Sequence, residues 1–185
     1  MSKVEAISEY RGIVVSVADG GEVVAADAED GQMLWQHDHH DPDVIQDVSV
    51  DRGVVYSVAL SGRIIAADLE SGDLIWARDA SPNDARVTSV FARNGVVMWT
   101  TVRPVSSRDP RLFMADGTTG RILWDGPMDQ FPWSIHESLG IVYIAAAETN
   151  VVQAISAAPA LHVSDGSQWW LLNWLAPASE VDHAN

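Results

Sequence analysis

One segment is written three times along this chain, and no other feature limits the fold as strongly. Ala26-Asp27-Ala28-Glu29-Asp30-Gly31-Gln32-Met33-Leu34-Trp35 returns as Ala67-Asp68-Leu69-Glu70-Ser71-Gly72-Asp73-Leu74-Ile75-Trp76, and again as Ala115-Asp116-Gly117-Thr118-Thr119-Gly120-Arg121-Ile122-Leu123-Trp124. Each copy keeps Ala-Asp, a Gly four residues after the Asp, and a Trp four after the Gly. Self-similarity at a fixed period means stacked units, because one unit cannot bury its apolar face alone. The Asp-to-Asp steps are 41 and 48 residues, longer than leucine-rich or ankyrin repeats and in the range of propeller blades.

Inside a unit the pattern is strand, tight turn, strand. Val23-Val24-Ala25-Ala26 and Ile64-Ile65-Ala66-Ala67 are short and β-branched, which suits strands. Asp27, Asp68 and Asp116 end those strands, and their carboxylates are placed to accept hydrogen bonds from turn amides. Gly31, Gly72 and Gly120 supply positive φ where the chain reverses. Trp35, Trp76 and Trp124 then sit at a fixed distance from the turn, where a large flat ring fills the gap between adjacent sheets.

This pattern, Ala-x-Asp-x-x-(Thr/Ser)-Gly-x-x-x-Trp, resembles the repeat of the PQQ-like β-propellers, the family named after pyrroloquinoline-quinone dehydrogenases. Ala66 to Trp76 fits it almost completely, and the resemblance covers roughly residues 4 to 156. It implies that the motif Trp docks one blade against the next. It also implies a choice of function. The dehydrogenases carry a vicinal cysteine pair, a carboxylate base beside bound Ca²⁺ and a full funnel. Members without those residues act as interaction platforms, as the outer-membrane assembly lipoproteins do, with partners meeting rim loops or an exposed strand edge.

A second anchor precedes each motif: Arg11-Gly12, Arg52-Gly53, Asn94-Gly95 and Leu139-Gly140, spaced by 41, 42 and 45 residues, each a turn into an apolar strand. Short stretches ahead of them, Val4–Ser8, Val44–Val50, Arg86–Phe91 and Trp133–Glu137, supply a fourth strand per unit. The expected fold is all-β. A single domain over 1–185 forms a propeller of about four four-stranded antiparallel blades, near 4–37, 44–78, 86–125 and 132–172, with a tail at 173–185. Residues 103–111, with two prolines, read as an insertion kept out of the sheet interior. The fourth unit decays: Asn150–Ser156 takes the third-strand position with Ser156 in place of Asp, and Ser167–Trp174 is assigned to the last strand. Four units leave three ways to close: a partial arc, two chains paired into an eight-bladed ring, or a small closed ring.

Composition narrows the function. The net charge is −15, and residues 1–92 hold 17 acidic against 6 basic side chains. Such a surface repels phosphate backbones, so no nucleic-acid partner is expected. No run of 18 apolar residues and no apolar leader core occurs, so neither a membrane span nor a signal peptide is expected, and the chain as given reads as cytoplasmic. Cysteine is absent, which excludes disulfides and thiolate metal sites.

Candidate chemistry is sparse. His37, His39, His40 and Asp41 share a loop and are the one candidate metal cluster, with a solvated loop as the alternative. Asp38, Asp41, Asp43 and Asp47 lack the spacing of a calcium loop. Ser134 and His136 would share a strand face but have no third partner. Trp99, Trp133 and Trp169 lie outside the motif, available either for packing or for stacking on a ring. Neither PQQ nor Ca²⁺ is supported by the motifs, and no cofactor is expected. The reading is a non-enzymatic scaffold for a protein partner at loops or an exposed blade edge, with a homodimer open. The alternatives are a small-ligand or cation sensor, a quinoprotein-like enzyme using the funnel, or a piece of a longer propeller.

Overall fold

The computed structural model describes residues 4–18, 21–37, 45–59, 61–80, 86–103, 106–128, 132–138, 141–146 and 152–156. All of its regular elements are strands. The first blade holds β1 (Val4–Tyr10), β2 (Ile13–Ala18), β3 (Val23–Asp27) and β4 (Met33–His37). The second holds β5 (Ile45–Asp51), β6 (Val54–Ala59), β7 (Arg63–Asp68) and β8 (Leu74–Asp79). The third holds β9 (Arg86–Arg93), β10 (Val96–Arg103), β11 (Ser106–Asp116) and β12 (Ile122–Pro127). The fourth shows β13 (Pro132–Ser138), β14 (Ile141–Ala146) and β15 (Val152–Ser156). Each sheet runs in chain order and is antiparallel throughout. The first strands β1, β5, β9 and β13 neighbour one another in that order, so the sheets fan out from a common inner edge.

The two-residue period of the strands produces this arrangement. Along a strand, side chains alternate between faces, and in the middle strands both faces are apolar because a blade lies on each side. Val15, Val17, Val23, Ala25 and Trp35 of the first blade bury against Ile45, Val48, Val50, Val55 and Leu69 of the second. Tyr56, Val58, Ile64 and Ala66 on the other face of the second blade meet Val90, Val97, Trp99 and Phe113 of the third. Met98, Leu112, Met114 and Met128 then pack with Val142 and Ile144 of the fourth. Each fully buried side chain of this size contributes roughly 1.5–3 kcal/mol, so the interfaces between sheets carry most of the stability.

The inner hairpins use two-residue turns in which both residues are left-handed: Arg11 (φ 52°) with Gly12, Arg52 (φ 50°) with Gly53, and Asn94 (φ 56°) with Gly95. The flanking pairs Tyr10↔Ile13, Asp51↔Val54 and Arg93↔Val96 close them. This type I′ geometry matches the strand twist and favours Asn-Gly.

One expectation needs revising, and one choice left open is decided. Arg103 and residues 106–111 lie within the sheet rather than in an insertion outside it. Arg103 pairs with Ser106, and β11 begins there, so the β10–β11 hairpin is lengthened. Pro110 is tolerated because it sits beside a register shift and just beyond Arg111↔Pro127, the last pair with β12. Trp99 is a packing residue. It is fully buried, stacks on Phe113 with centroids 5.4 Å apart, and its Nε1 donates to the Ala80 carbonyl at 2.8 Å. The strand expected over Ser167–Trp174, and Trp169 with it, lies outside the described residues.

Asn94→Ala should lower the unfolding free energy by about 1 kcal/mol, since an Ala side chain opposes the left-handed conformation that Asn accepts. Urea denaturation of the two proteins checks this.

Candidate functional site

The repeated motif builds one local object in three places. Asp27 Oδ1 accepts the Glu29 amide at 2.7 Å. Asp68 Oδ1 accepts the Glu70 and Ser71 amides at 2.9 and 2.8 Å and the Ser71 hydroxyl at 3.1 Å. Asp116 Oδ1 accepts the Thr119 amide and hydroxyl, both at 2.8 Å. Donors converging on a carboxylate favour its charged form, and the Ser71 amide first among them holds Asp68 below the ordinary value of 3.8. The turn closes when the Gly amide donates to the Asp carbonyl, at 3.0, 2.9 and 2.8 Å in the three copies.

The Trp of one blade reaches the turn of the next. Trp35 Nε1 donates to the Leu69 carbonyl and Trp76 Nε1 to the Gly117 carbonyl, each at 2.8 Å. The two acceptors stand one residue after Asp68 and Asp116. The indole also lies flat over the motif Gly. A Cβ built at Gly72 would come within 2.9 Å of the Trp35 ring, and one at Gly120 within 2.9 Å of the Trp76 ring. The Gly is therefore required twice, for positive φ and for the ring's approach.

The residue two after the Trp completes the clasp. His37 Nε2 lies 2.6 Å from the Gly72 carbonyl, with its ring tilted against Trp35. Arg78 Nη1 donates to the Gly120 carbonyl. In the third copy this position is Gly126, and the Trp124 ring lies over it instead. The fourth-unit positions matching Leu69 and Gly72, residues 157 and 160, fall outside the described residues. The side chain two after the motif Trp has no counterpart in the expected pattern. Its only sequence signal is a polar residue at a fixed step.

Along the inner edge, polar side chains of one first strand bind backbone of the next. Ser8 Oγ accepts the Val50 amide at 3.2 Å and Ser49 Oγ the Ala92 amide at 2.9 Å. Asp47 accepts the Val90 amide at 3.0 Å and the Val48 amide at 2.9 Å. Burial raises its pKa above the ordinary range, and those two amides only partly oppose the shift. In the third unit the matching position holds Phe91, whose ring lies 5.6 Å from His136 of the fourth. His136 is thus paired with an aromatic ring, and the Ser134 side chain lies outside the described residues.

Two recesses lie between the first and second blades. One of about 210 Å³ is lined by Trp35, His37, Ser57, Arg63 and Leu74, below the roughly 300 Å³ at which ligand pockets usually begin. The other, about 370 Å³, lies at the turns among Tyr10, Arg11, Arg52, Asp68 and Glu70. Of the candidate metal residues, His37 belongs to the clasp, and His39, His40 and Asp41 lie outside the described residues. Among the described residues no three His, Cys, Asp or Glu side chains group as metal ligands.

A family profile described as outer membrane protein assembly factor BamB matches residues 7–130, most of the chain. The chain belongs to this PQQ-like propeller family. Its fold is shared with a computationally designed protein, Ika4, at 20% identity and TM-score 0.70, covering 84% of this chain and 92% of that one. BamB from Moraxella catarrhalis superposes with TM-score 0.63 at 16% identity over 84% of this chain and 47% of its own. The quinohemoprotein alcohol dehydrogenase from Comamonas testosteroni does so with TM-score 0.64 at 19% identity over 77% and 29%. The chain thus spans about half the length of that BamB chain. No curated protein sequence matches it.

Gly72→Ala should cost clearly more stability than Gly31→Ala. Both strain a positive φ by about 1 kcal/mol, but only at Gly72 does the methyl meet an indole, while at Gly31 nothing lies within 4 Å. Paired denaturation curves check the ordering. The lowered pKa of Asp68 means that its stabilisation is present above the unfolded value of 3.8 and is lost as pH falls through the lower folded value. Asp68→Asn should therefore destabilise the protein at neutral pH and have little effect in strong acid, which thermal melts across that range would show.

Proposed function

We propose that this chain is a non-enzymatic scaffold that recognises a protein partner along its outer rim. One observation carries the reading. Met33 and Leu34 on β4 are 57% and 44% exposed, and Leu74 and Ile75 on β8 are 65% and 42% exposed. These are the same two positions of consecutive copies, two and three residues after the motif Gly. They form a repeated apolar row on outermost strands, each of which has one edge unpaired by its own sheet. Apolar side chains beside an open strand edge are what strand addition or a protein contact uses. The description of the matching family as an assembly factor supports a role in interaction or assembly.

The motif residues support the same reading from the other side. Asp27, Asp68, Asp116, Trp35 and Trp76 are engaged in turns and interfaces, so they serve architecture. The quinoprotein alternative lacks the residues for its chemistry, since the chain has no cysteine, and we assign it neither PQQ nor Ca²⁺.

Cross-linked capture from extracts of the source cells, using the tagged chain and its Met33→Glu/Leu74→Glu variant, tests the proposal. A partner held by the parent protein should fall at least tenfold with the variant, while far-UV circular dichroism stays the same. Identical capture by both, or a melting temperature raised several degrees by PQQ with Ca²⁺, would contradict it.

A further inference from the structure

The first blade leaves open the face that each later blade buries. Ile7 of β1 is 67% exposed, whereas Val48 and Val90, at its position in the next two repeats, are 5% and 6% exposed. Val14 is half-buried, where its counterparts Val55 and Val97 are 2% and 0% exposed. Ala26 is half-buried, where Ala67 and Ala115 are 8% and 0% exposed.

The turn at the end of this face has the form that receives an indole elsewhere. Gly31 has φ 75°, against 76° at Gly72 and 68° at Gly120. Its amide closes the same bond to the Asp carbonyl, at 3.0 Å against 2.9 and 2.8 Å. Leu69 and Gly117 present buried carbonyls to Trp35 and Trp76. The equivalent residue, Ala28, is exposed, and nothing lies within 4 Å of a Cβ built at Gly31. Two of three like receptors are covered by a neighbouring blade, and the third faces solvent.

We propose that the fourth blade of a second copy of this chain covers the face, and that the reciprocal contact is made at the same time. Two arcs then close into one eight-bladed ring about a two-fold axis. Three observations select this occupant. What covers such a face twice within the chain is another blade of the same repeat, so the complementary surface is propeller edge rather than an unrelated peptide. The arc matches 47% of a BamB chain, and a second equal arc has about the length of the remainder. The chain's own fourth blade, β13 to β15, leaves Ile7 at its high exposure. A two-fold operator satisfies both ends of both arcs together, with no open end left to grow a fibre. This inference is independent of the rim row, which lies on β4 and β8.

Sedimentation equilibrium over a wide concentration range tests it. The parent chain should reach twice its 20.1 kDa. Ile7→Glu and Val14→Glu should weaken association at least tenfold, whereas Thr118→Glu, in the exposed turn of the third blade, and the rim variant Met33→Glu/Leu74→Glu should stay dimeric. Ile7→Cys gives the chain its only thiol and guards against a charge variant that fails to fold. Alkylation of that thiol should be slow in the dimer and should speed up at least tenfold on dilution. A parent that stays monomeric at every concentration would overturn the proposal, as would a dimer indifferent to Ile7→Glu and Val14→Glu, or an Ile7→Cys variant whose thiol reactivity ignores dilution.

Discussion

An indole lying on a glycine, with its N–H on the carbonyl three residues before that glycine, is the contact on which the rest of this protein depends. It occurs between the first and second blades and again between the second and third. It couples the outer strand of one sheet to the outermost turn of the next, far from the inner strands that crowd the axis. Ser8, Ser49 and Asp47 tie the inner edges together through backbone amides. With both edges held, the apolar middle strands between them are fixed in register. A hydrogen bond of this kind contributes only about 1 kcal/mol net, and burial of the ring contributes more. The value of the N–H bond is directional, because it sets where on the turn the ring must land.

The third copy shows how far this clasp is permitted to vary. Gly126 replaces the His or Arg that binds the next turn, and Trp124 folds over it. The interface there relies on Met98, Met114 and Met128. Methionine adapts to irregular gaps, which suits a neighbour whose own motif has decayed. The first copy departs differently. It keeps the whole motif and leaves the receiving half facing solvent. The chain therefore has a regular middle and two unlike ends.

Much of this was legible in the sequence, and the reason is periodicity. Asp, Gly and Trp at constant steps, with apolar strands between, leave few arrangements other than stacked sheets. The roles of Asp68, Gly72 and Trp76 could be read because each follows from the chemistry of a single residue. The second requirement on Gly72, room for the Trp35 ring, could not be read, because it depends on a residue 37 positions earlier in the chain. The left-handed conformations of Arg11 and Arg52 were hidden for a related reason. Asn-Gly announces such a turn and Arg-Gly does not, so only the cross-strand register reveals them. Pro110 misled because proline argues against a strand, and its place at a register shift is a property of the pairing rather than of the residue. His37 looked like part of a metal loop, but its position two after a clasping Trp gives it a carbonyl to bind.

Hydrogen exchange of the indole N–H groups, followed by NMR with each signal assigned through single Trp→Phe variants, tests the central contact most directly. Trp35 and Trp76, which donate to Leu69 and Gly117, should exchange only with global unfolding, as should the buried Trp99 that donates to Ala80. If Trp35 and Trp76 instead exchange at the rate of a free indole while Trp99 stays protected, the blades are not clasped by their tryptophans and the account fails.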